Sequence, residues 1–302
     1  MYHGIINIYK EAGFTSHDVV AKMRGILKQK KIGHTGTLDP EAVGVLPVCL
    51  GTGTKLCDML TDKDKQYEAV LLLGVETDTQ DTTGQIKAQK EVVADEVQVK
   101  DAIMSFVGDY EQIPPMYSAL KVDGKKLYEL ARAGKEVERK PRPVVIYDIQ
   151  ILEMDLPRVR ILVTCSKGTY IRTLCHDIGQ KLGCGGAMEH LKRTKVSSFL
   201  IDDAITLGQL EELKAQDRVE EKVISVDKVF EHLPAFHVKD KFLYMVKNGN
   251  ALYPNQITEE VPAKAGLEAR IYDSKERFYG VYVYDEIEGR MKPVKMFLTN
   301  ED

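Results

Sequence analysis

The sequence has 302 residues, a formal net charge of −4 at pH 7, and 43% hydrophobic and 29% charged residues. These values are typical of globular proteins in water, and the length permits a large core and more than one domain. No apolar run is long enough to cross a bilayer and the first residues lack the features of a signal peptide, which predicts a cytoplasmic protein with no membrane partner. The five cysteines form no Cys-x-x-Cys pair, which favours reduced thiols and argues against a zinc site.

Charge is distributed unevenly along the chain. Residues 9–31 contain six Lys or Arg and two acidic residues, and residues 121–147 contain eight and four. Residues 201–231 contain nine acidic and four basic residues. Because the binding of an anionic polymer depends on the local potential, the two basic stretches are candidates for a face that contacts nucleic acid. A mixed, solvated surface is the alternative, and composition alone favours it.

The first 31 residues predict a strand and a helix. Ile5–Tyr9 is an apolar, β-branched run of the kind found in strands. Thr15 and Asp18 form the signal of a helix N-terminus, and apolar residues at helical spacing follow them. The helix ends in a basic run, Lys28–Lys31, which suits the negative end of a helix and equally a contact with phosphate.

A segment rich in glycine and threonine follows, and it contains His34 and Asp39. Asp39, Pro40 and Glu41 by themselves make a good helix start, with Asp39 as the N-cap. Glycine, however, lets a backbone turn or approach a ligand closely, and a helix cap requires neither the histidine nor the surrounding glycines. These residues leave two interpretations open, a helix cap and a site with Asp39 at its centre.

The wider segment resembles the signature of a known family. Residues 33–55 read GHTGTLDPEAVGVLPVCLGTGTK, a long, ungapped match to the TruB family of pseudouridine synthases. Members of this family isomerise a uridine in the T loop of transfer RNA. The sequence departs from the family at Glu11, where the turn before the first helix usually has proline.

Lys55 and Tyr67 each have a functional and an ordinary interpretation. Lys55 follows a glycine–threonine loop and is a candidate contact for phosphate, although most lysines simply lie at the surface. Tyr67 begins an apolar run that predicts a buried strand, so its ring would either fill the core or stack on a displaced base. The resemblance implies the second role, because Tyr67 aligns with the base-stacking tyrosine of the family.

The loop at residues 77–84 reads TDTQDTTG and predicts a turn between two elements. Its two carboxylates lie among threonines, but their spacing fits no metal motif, so no metal site is expected. The resemblance instead places Asp81 near the target nucleotide.

Residues 113–143 form an unusual segment in which basic residues alternate with tyrosines and prolines stand at both ends. This pattern is typical of a segment that projects from the core and contacts RNA through phosphates and stacking, and the family has an RNA-clamping insertion at this place. A solvated helix with loose flanks is the alternative. A helix is predicted before the segment at residues 95–107, and paired strands after it at residues 144–152 and 160–165.

A second informative stretch, residues 166–173, reads SKGTYIRT. Alternation along an extended chain would place Tyr170 and Arg172 on the same side. An arginine beside a carboxylate keeps that carboxylate ionised and oriented, whereas an exposed salt bridge contributes little. The resemblance implies that Arg172 is the ion-pair partner of Asp39 and that Tyr170 and Leu191 line the pocket. The residues that follow Leu191, Lys192 and Arg193, are candidate phosphate contacts.

The C-terminal third predicts a connector and a small β domain. The acidic stretch at residues 201–231 is typical of a polar helical connector, and from about residue 233 short strands alternate with turns, as in a small β-barrel. The resemblance thus implies an α+β fold in which a mixed, mainly antiparallel sheet forms a catalytic domain over residues 1–232. The insertion at about residues 113–143 belongs to this domain, and residues 233–302 form a PUA-like RNA-binding domain.

The activity implied by the resemblance is isomerisation of uridine 55 in the T loop of tRNA by a monomeric enzyme. The reaction breaks the bond between C1′ and N1, rotates the uracil and rejoins it through C5, so no metal or other cofactor is expected. Asp39 would supply an ionised carboxylate, with Arg172 as its partner and Tyr67 as the stacking ring. His34 would occupy the space that the uridine vacates and so offset an unstacking cost of about a few kcal/mol.

Other functions stay open. A non-catalytic RNA-binding or tRNA-folding protein would use the same basic segments, but it would not need Asp39 and Arg172 together. A related synthase directed by a guide RNA would share the site, but the short ends without basic tails favour a stand-alone enzyme, so no guide RNA is expected. An unrelated phosphate-binding enzyme is least favoured, because the sequence contains neither a GxGxxG nor a Walker motif.

Overall fold

The computed structural model describes residues 1–122 and 124–298. Residues 123 and 299–302, which belong to the predicted segments 113–143 and 233–302, lie outside the described residues. The α-helices are α1 (Ser16–Leu27), α2 (Cys57–Thr61), α3 (Glu96–Met104), α4 (Leu127–Arg132), α5 (Ile171–Lys181), α6 (Leu207–Ala215) and α7 (Leu243–Lys247). None of the helices in these ranges combines the length and apolar character needed to span a bilayer.

The strands are β1 (Gly4–Lys10), β2 (Ile32–His34), β3 (Val43–Leu50), β4 (Lys65–Leu73), β5 (Val75–Thr77), β6 (Ile86–Gln89), β7 (Gly108–Gln112), β8 (Lys121–Val122), β9 (Lys125–Lys126), β10 (Arg142–Asp155), β11 (Arg158–Cys165), β12 (Gly186–Val196), β13 (Phe199–Leu200), β14 (Ala235–His237), β15 (Glu268–Tyr272), β16 (Phe278–Asp285) and β17 (Arg290–Met296). Short 3₁₀ helices cover Gly51–Leu56, Ile201–Asp203, Val219–Lys222, Val226–Phe230, Asp240–Phe242 and Pro254–Gln256. The paired strands predicted at residues 144–152 and 160–165 are confirmed as β10 and β11.

A large sheet lies at the centre of the first 232 residues. Its strands follow the order β1-β3-β12-β4-β11-β10-β7, with β2 beside β3 and β13 beside β12. The short β3–β12 pair is parallel, whereas the other pairs are antiparallel. β4 lies in the middle of the sheet and carries Tyr67, so the predicted α+β fold with a mainly antiparallel sheet is confirmed.

Helices pack against two parts of this sheet. α3 and α5 bury their apolar faces against β4, β10 and β11, in a cluster that includes Leu71, Ile161 and Leu174. α1 and α6 pack against β1 and β3 around Ile6 and Met23. Burial of each such side chain contributes about 1.5–3 kcal/mol to the free energy of folding. The two clusters therefore hold in place the strands that carry the polar residues of the site.

The local prediction for α1 is confirmed. The Thr15 hydroxyl accepts a hydrogen bond from the Asp18 amide at 3.0 Å, and the Asp18 carboxylate accepts one from the Thr15 amide at 2.8 Å. This reciprocal pair satisfies two amides that the first turn leaves free. The helix ends at Lys28, whose φ of 52° lies in the left-handed region.

Of the two interpretations left open for Asp39, the helix cap is excluded. Residues 39–42 form a turn in which the Ala42 amide donates to the Asp39 carbonyl oxygen at 3.1 Å, and β3 follows at Val43. The segment is therefore a loop between β2 and β3, and Asp39 caps no helix.

The extended conformation predicted for Tyr170 and Arg172 is also wrong, because α5 begins at Ile171. The buried apolar residues of α5 recur at helical rather than alternating spacing, namely Ile171, Leu174, Cys175 and Ile178. Tyr170 is the N-cap residue, and Arg172 lies in the first turn of the helix.

The predicted insertion contains little regular structure. Among its described residues, β8 pairs with β9 and the short α4 follows directly. Its two ends are tied together because Nη1 of Arg139 donates to the Pro114 carbonyl oxygen at 3.1 Å.

The C-terminal part forms an open sheet with the order β14-β15-β16-β17. The predicted barrel is not closed among the described residues, because β14 and β17 do not pair with each other. Two isolated bridges, Val238 with Ile257 and Leu252 with Met291, connect the two edges of the sheet to the segment at residues 252–257 instead. The sheet packs on the first domain through an apolar cluster that joins Phe230, Val281 and Phe297 to residues of β1 and β3.

Candidate active site

An ion pair between Asp39 and Arg172 forms the centre of the site. Nε of Arg172 lies 2.9 Å from Oδ2 of Asp39, and Nη2 donates to Oδ1 at 3.2 Å. The Arg172 side chain is 6% exposed and that of Asp39 is 37% exposed. The carboxylate therefore faces an opening while the guanidinium lies behind it, a two-point geometry that fixes the orientation of the carboxylate.

The guanidinium is itself held by two loops. Nη2 of Arg172 also donates to the Tyr117 carbonyl oxygen at 2.9 Å, and Nη1 donates to the Thr79 carbonyl oxygen at 3.2 Å. Oδ2 of Asp81 lies 3.7 Å from Nη1. Arg172 thus joins the Asp39 loop, the insertion and the 77–84 loop at one point.

Burial and charge act on Asp39 in opposite directions. Burial raises the pKa of Asp39, and the positive charge of Arg172 lowers it. Asp81 raises it further and Lys10 lowers it, and the net direction is upward. The cationic neighbours limit the rise in the pKa of Asp39 but do not reverse it.

Lys10, which sequence reasoning missed, holds the Asp39 loop from inside. Its ammonium is buried and donates to the carbonyl oxygens of Pro40 at 2.8 Å and Ala42 at 2.5 Å. The hydroxyl of Ser16 accepts a hydrogen bond from the Leu38 amide at 2.9 Å. Burial lowers the pKa of Lys10 to about 8, against the opposing effects of nearby carboxylates. The sequence signals that could have found it are its position at the end of β1 and its match to the lysine that precedes Glu11 in the turn of the family.

Gln112 is a second residue that the sequence did not indicate. Its buried side chain accepts a hydrogen bond from the Tyr170 amide at 2.7 Å and donates to the Tyr170 carbonyl oxygen at 3.0 Å. This pair of bonds fixes the residue that precedes α5, and so it fixes the start of the helix and the position of Arg172 in its first turn.

Apolar groups surround the ion pair. Tyr67, Leu38 and Ile171 belong to one buried cluster, and Leu191 packs against it. Tyr67 is buried and Tyr170 is half-buried. Burial raises the pKa of both tyrosine hydroxyls, and the charge of Asp39 adds to each rise.

Asp81 is held by its own loop. Oδ1 of Asp81 accepts hydrogen bonds from the Thr79 hydroxyl at 2.7 Å and from the Thr83 amide at 3.0 Å. Gln80 adopts a positive φ of 64°, and its side chain accepts a hydrogen bond from the Thr173 hydroxyl at 2.7 Å. These bonds anchor the loop to α5 beside Arg172.

The other predicted site residues lie in different places. His34 ends β2, where burial lowers its pKa and its Nδ1 has no hydrogen-bond partner among the described residues. The Lys55 ammonium donates to the Met296 carbonyl oxygen at 2.8 Å, so it contacts the C-terminal sheet rather than the groups around Asp39. Lys192 pairs with Glu68 at 2.7 Å. The expectation that Arg193 contacts phosphate is wrong, because its side chain is buried.

Among the described residues, no group of three His, Cys, Asp or Glu side chains is arranged to hold a metal ion. What the site offers is one oriented and partly exposed carboxylate, a buried guanidinium and a neighbouring apolar cluster that contains the buried Tyr67. Such an arrangement can hold a flat, partly apolar ring beside an anionic oxygen.

The family models and curated proteins that match this chain are described as pseudouridine synthases. Residues 24–171 match the model described as TruB family pseudouridylate synthase (N terminal domain), and residues 172–233 match the model of the tRNA pseudouridylate synthase B C-terminal domain. A protein of Lachnoclostridium phytofermentans called tRNA pseudouridine synthase B is 52% identical over 98% of this chain and 100% of its own length. A protein of the same name from Alkaliphilus oremlandii is 48% identical over 97% of each chain.

Solved structures also resemble this chain. One is a chain of an H/ACA ribonucleoprotein bound to a substrate RNA containing 2′-deoxyuridine, with a TM-score of 0.73 and 26% identity over 99% of this chain and 86% of that one. Another is a chain of a Cbf5-Nop10-Gar1 complex, with the same TM-score and coverage and 28% identity.

Proposed function

The chain belongs to the TruB family of pseudouridine synthases and isomerises uridine to pseudouridine in tRNA, and we propose that its target is uridine 55 in the T loop, with Asp39 as the catalytic carboxylate. The observation that carries this proposal is the two-point ion pair between Asp39 and buried Arg172 at a partly exposed opening. The carboxylate caps no helix, and it serves both as the counter-ion of buried Arg172 and, through its exposed side, as a group that a ligand can reach.

The reaction requires that the carboxylate be ionised. Whether Asp39 attacks C1′, attacks C6 or removes a ribose proton, the step begins with an anionic oxygen. The bond from C1′ to N1 then breaks, a bond from C1′ to C5 forms, C5 loses its proton and N1 gains one, so atoms and charge balance without a co-reactant. Arg172 and Lys10 supply the positive charge that opposes the effect of burial on Asp39.

The target base must leave the RNA stack before it reaches this opening, at a cost of about a few kcal/mol. Stacking on an aromatic ring returns about 1–3 kcal/mol, and Tyr67 is the ring set in the rigid central strand. Tyr170 and Leu191 would enclose the other sides of the uracil. Asp81 would act through Arg172, and His34 would fill the position left in the T loop.

The remaining RNA contacts would come from two surfaces. The insertion carries basic residues and tyrosines, including Lys126 and Arg132, whose charges lie over the Tyr128 ring. The C-terminal sheet would serve as a PUA-like RNA-binding module, with Lys55 near the junction of the two domains. We propose that the enzyme acts as a cytoplasmic monomer.

Replacement of Asp39 by asparagine tests the catalytic assignment. Asp39→Asn should abolish tritium release from tRNA labelled at C5 of uridine while leaving tRNA binding nearly unchanged, because the amide preserves the shape but not the charge. Asp148→Asn, at an exposed carboxylate of β10, is the matched control and should keep full activity. Continued turnover by Asp39→Asn would refute the role of the carboxylate.

The target position needs its own experiment. After treatment with the purified protein alone, reverse-transcription mapping of a tRNA transcript should give one modified position, 55, and a transcript with cytidine at that position should give none.

A guide-RNA-dependent synthase is the second candidate, because the solved structures named above come from H/ACA complexes. The full-length relatives named tRNA pseudouridine synthase B favour the stand-alone enzyme. Modification that appears only after a guide RNA is added would reverse this preference, and tRNA binding without modification under either condition would favour a non-catalytic protein.

A further inference from the structure

Arg193 on β12 is a buried cation without an acidic partner. Its side chain is 1% exposed, and none of the described carboxylates lies within ion-pair distance of it. Nε donates to the Val45 carbonyl oxygen at 2.7 Å, and Nη2 approaches the Gly36 carbonyl oxygen at 3.5 Å. Removing a guanidinium from water without a counter-ion costs several kcal/mol. An apolar side chain would avoid this cost, but it could not donate hydrogen bonds to the main chain.

The strand register places Arg193 between the Asp39 loop and the stacking tyrosine. Arg193 is the direct partner of Tyr67 on β4 and of Gly44 on β3. Side chains of directly paired residues lie on the same face of a sheet. The approach to β3 is so close that a Cβ atom at Gly44, whose φ is 108°, would lie 2.2 Å from the Arg193 carbonyl oxygen. A glycine at position 44 therefore allows the main chains of β3 and β12 to approach closely at Arg193.

The charge of Arg193 acts on the tyrosine. Burial raises the pKa of the Tyr67 hydroxyl, and both the charge of Arg193 and a side-chain contact with it oppose that rise. The charges that act on Asp39, by contrast, come from Arg172, Asp81 and Lys10. The two buried arginines thus have different targets: Arg172 orients the carboxylate, whereas Arg193 lies opposite Tyr67 in the strand register and bonds to the main chain of β3 and of the loop.

We propose that Arg193 is a positioning residue for the isomerisation, which holds the Asp39 loop and the start of β3 at a fixed distance from Tyr67 through the carbonyl oxygens of Gly36, in the loop, and Val45, in β3. The carboxylate and the stacking surface are then in place before the uridine enters. The inference rests on the proposed function, and it gives Arg193 a role in the chemical step rather than in RNA affinity.

Arg193→Lys is the first test, because it keeps the charge but replaces a planar fork by a single ammonium. A displacement of about 1 Å between reacting groups costs about a hundredfold in rate, so we expect the single-turnover rate on tRNA to fall about 10- to 100-fold. The dissociation constant for tRNA should stay within about threefold, because Arg193 cannot reach the RNA. Arg158→Lys, at an exposed arginine that pairs with Glu189, is the matched control and should leave both values unchanged.

A double-mutant cycle with Tyr67→Phe separates positioning from general loss of structure. If Arg193 acts through Tyr67, the effects of the two substitutions should not multiply, because the effects of interacting residues are non-additive. The single-turnover rate of the combined variant Arg193→Lys/Tyr67→Phe should then lie within about threefold of the rate of the slower single variant. Independent, multiplicative losses would overturn the proposal. So would a loss of tRNA affinity equal to the loss of rate, or full activity of Arg193→Lys.

Folding and the proposed function are checked in the same experiment. Circular dichroism and thermal melting report whether Arg193→Lys is folded; if it is not, Arg193→Gln, which keeps an amide donor, is carried through the same rate, affinity and cycle measurements with the same criteria. Failure of the unmodified protein to form pseudouridine would refute the proposed function. An active parent with an equally active Arg193→Lys variant would refute only the role of Arg193.

Discussion

The two parts of the chain place charged side chains differently. Among the described residues, the buried cationic side chains all belong to the first 232 residues, namely Lys10, Lys65, Arg172 and Arg193. In the C-terminal sheet, cations pair with carboxylates near the surface: Lys292 lies 2.7 Å from Asp285 and 2.6 Å from Glu288. The first part therefore carries a cost of desolvating buried cations that the described C-terminal residues avoid.

The difference indicates that the interior cations hold main-chain segments in place. Exposed ion pairs contribute about 0–1 kcal/mol and are easily replaced, whereas a buried cation is costly unless its bonds are complete. Lys10, Arg172 and Arg193 each bond to main-chain carbonyl oxygens of the segments around Asp39, which for Arg193 is the start of β3. These bonds hold loops in a fixed shape that hydrophobic packing alone would not specify. We therefore expect large effects on activity from interior cations and small effects on stability from surface pairs.

The largest effect is expected for Arg172→Met. Removing one partner of a buried ion pair costs about 3–5 kcal/mol, and if this falls on the transition state, the rate drops about 10²- to 10⁴-fold. Because Arg172 lowers the pKa of Asp39, its removal should also move the acid limb of the pH–rate profile to higher pH, since the reaction needs the ionised carboxylate. Single-turnover rates between pH 5 and 9 would measure both effects.

Arg158→Met provides the contrast with Arg172→Met. Arg158 also makes a two-point pair with a carboxylate, Glu189, at 2.8 and 2.9 Å, but its side chain is more than half exposed. Its removal should leave the rate and the acid limb where they are. Equal losses in the two variants would show that burial of the arginine has no special importance for the reaction.

A smaller loss is expected for Lys10→Met. Methionine fills the volume but leaves the Pro40 and Ala42 carbonyl oxygens without their donor, at a cost of about 1–3 kcal/mol. The loop should become less ordered, with a rate about 10- to 100-fold lower and a melting temperature lower by about 2–4 °C for each kcal/mol lost. Calorimetry and single-turnover kinetics would measure the two losses.

Lys228→Met is the control for that experiment, since Lys228 forms an exposed pair with Glu231. It should change neither the melting temperature nor the rate to a measurable extent. A Lys10→Met variant as active as the parent would mean that the loop keeps its shape without the buried ammonium.

The sequence predicted the site better than the contacts that support it. Asp39 and Arg172 are 133 positions apart, and their pairing followed from resemblance to a family rather than from spacing. Lys10, Gln112 and Arg193 were not identified as loop-holding residues, because a polar side chain in a strand is usually exposed and no local pattern shows that it bonds to a distant carbonyl. Strands such as β4 were predictable because apolar periodicity is local, whereas the partners of buried cations depend on the register of strands far apart in sequence.

The smallest effect is expected for His237 in the C-terminal sheet. Its Nδ1 lies 2.5 Å from Oε1 of Glu259 and its Nε2 lies 3.1 Å from Oε1 of Glu276. Burial lowers the pKa of His237, but the two carboxylates raise it and the net direction is upward. The stabilisation is therefore present in full below the ordinary pKa of about 6.5 and is lost as the pH rises through the raised value.

His237→Gln should accordingly reduce the free energy of unfolding by less than about 1 kcal/mol at pH 6 and by less still at pH 9, as measured by urea unfolding. The main-chain amide of residue 237 still donates to Glu259, at 2.7 Å in the parent, so the substitution removes only the ring. An equal loss at both pH values would assign the effect to packing of the ring against Tyr272, 5.6 Å away. A loss as large as that of Lys10→Met would mean that surface pairs matter as much as interior cations, which contradicts the contrast between the two parts of the chain.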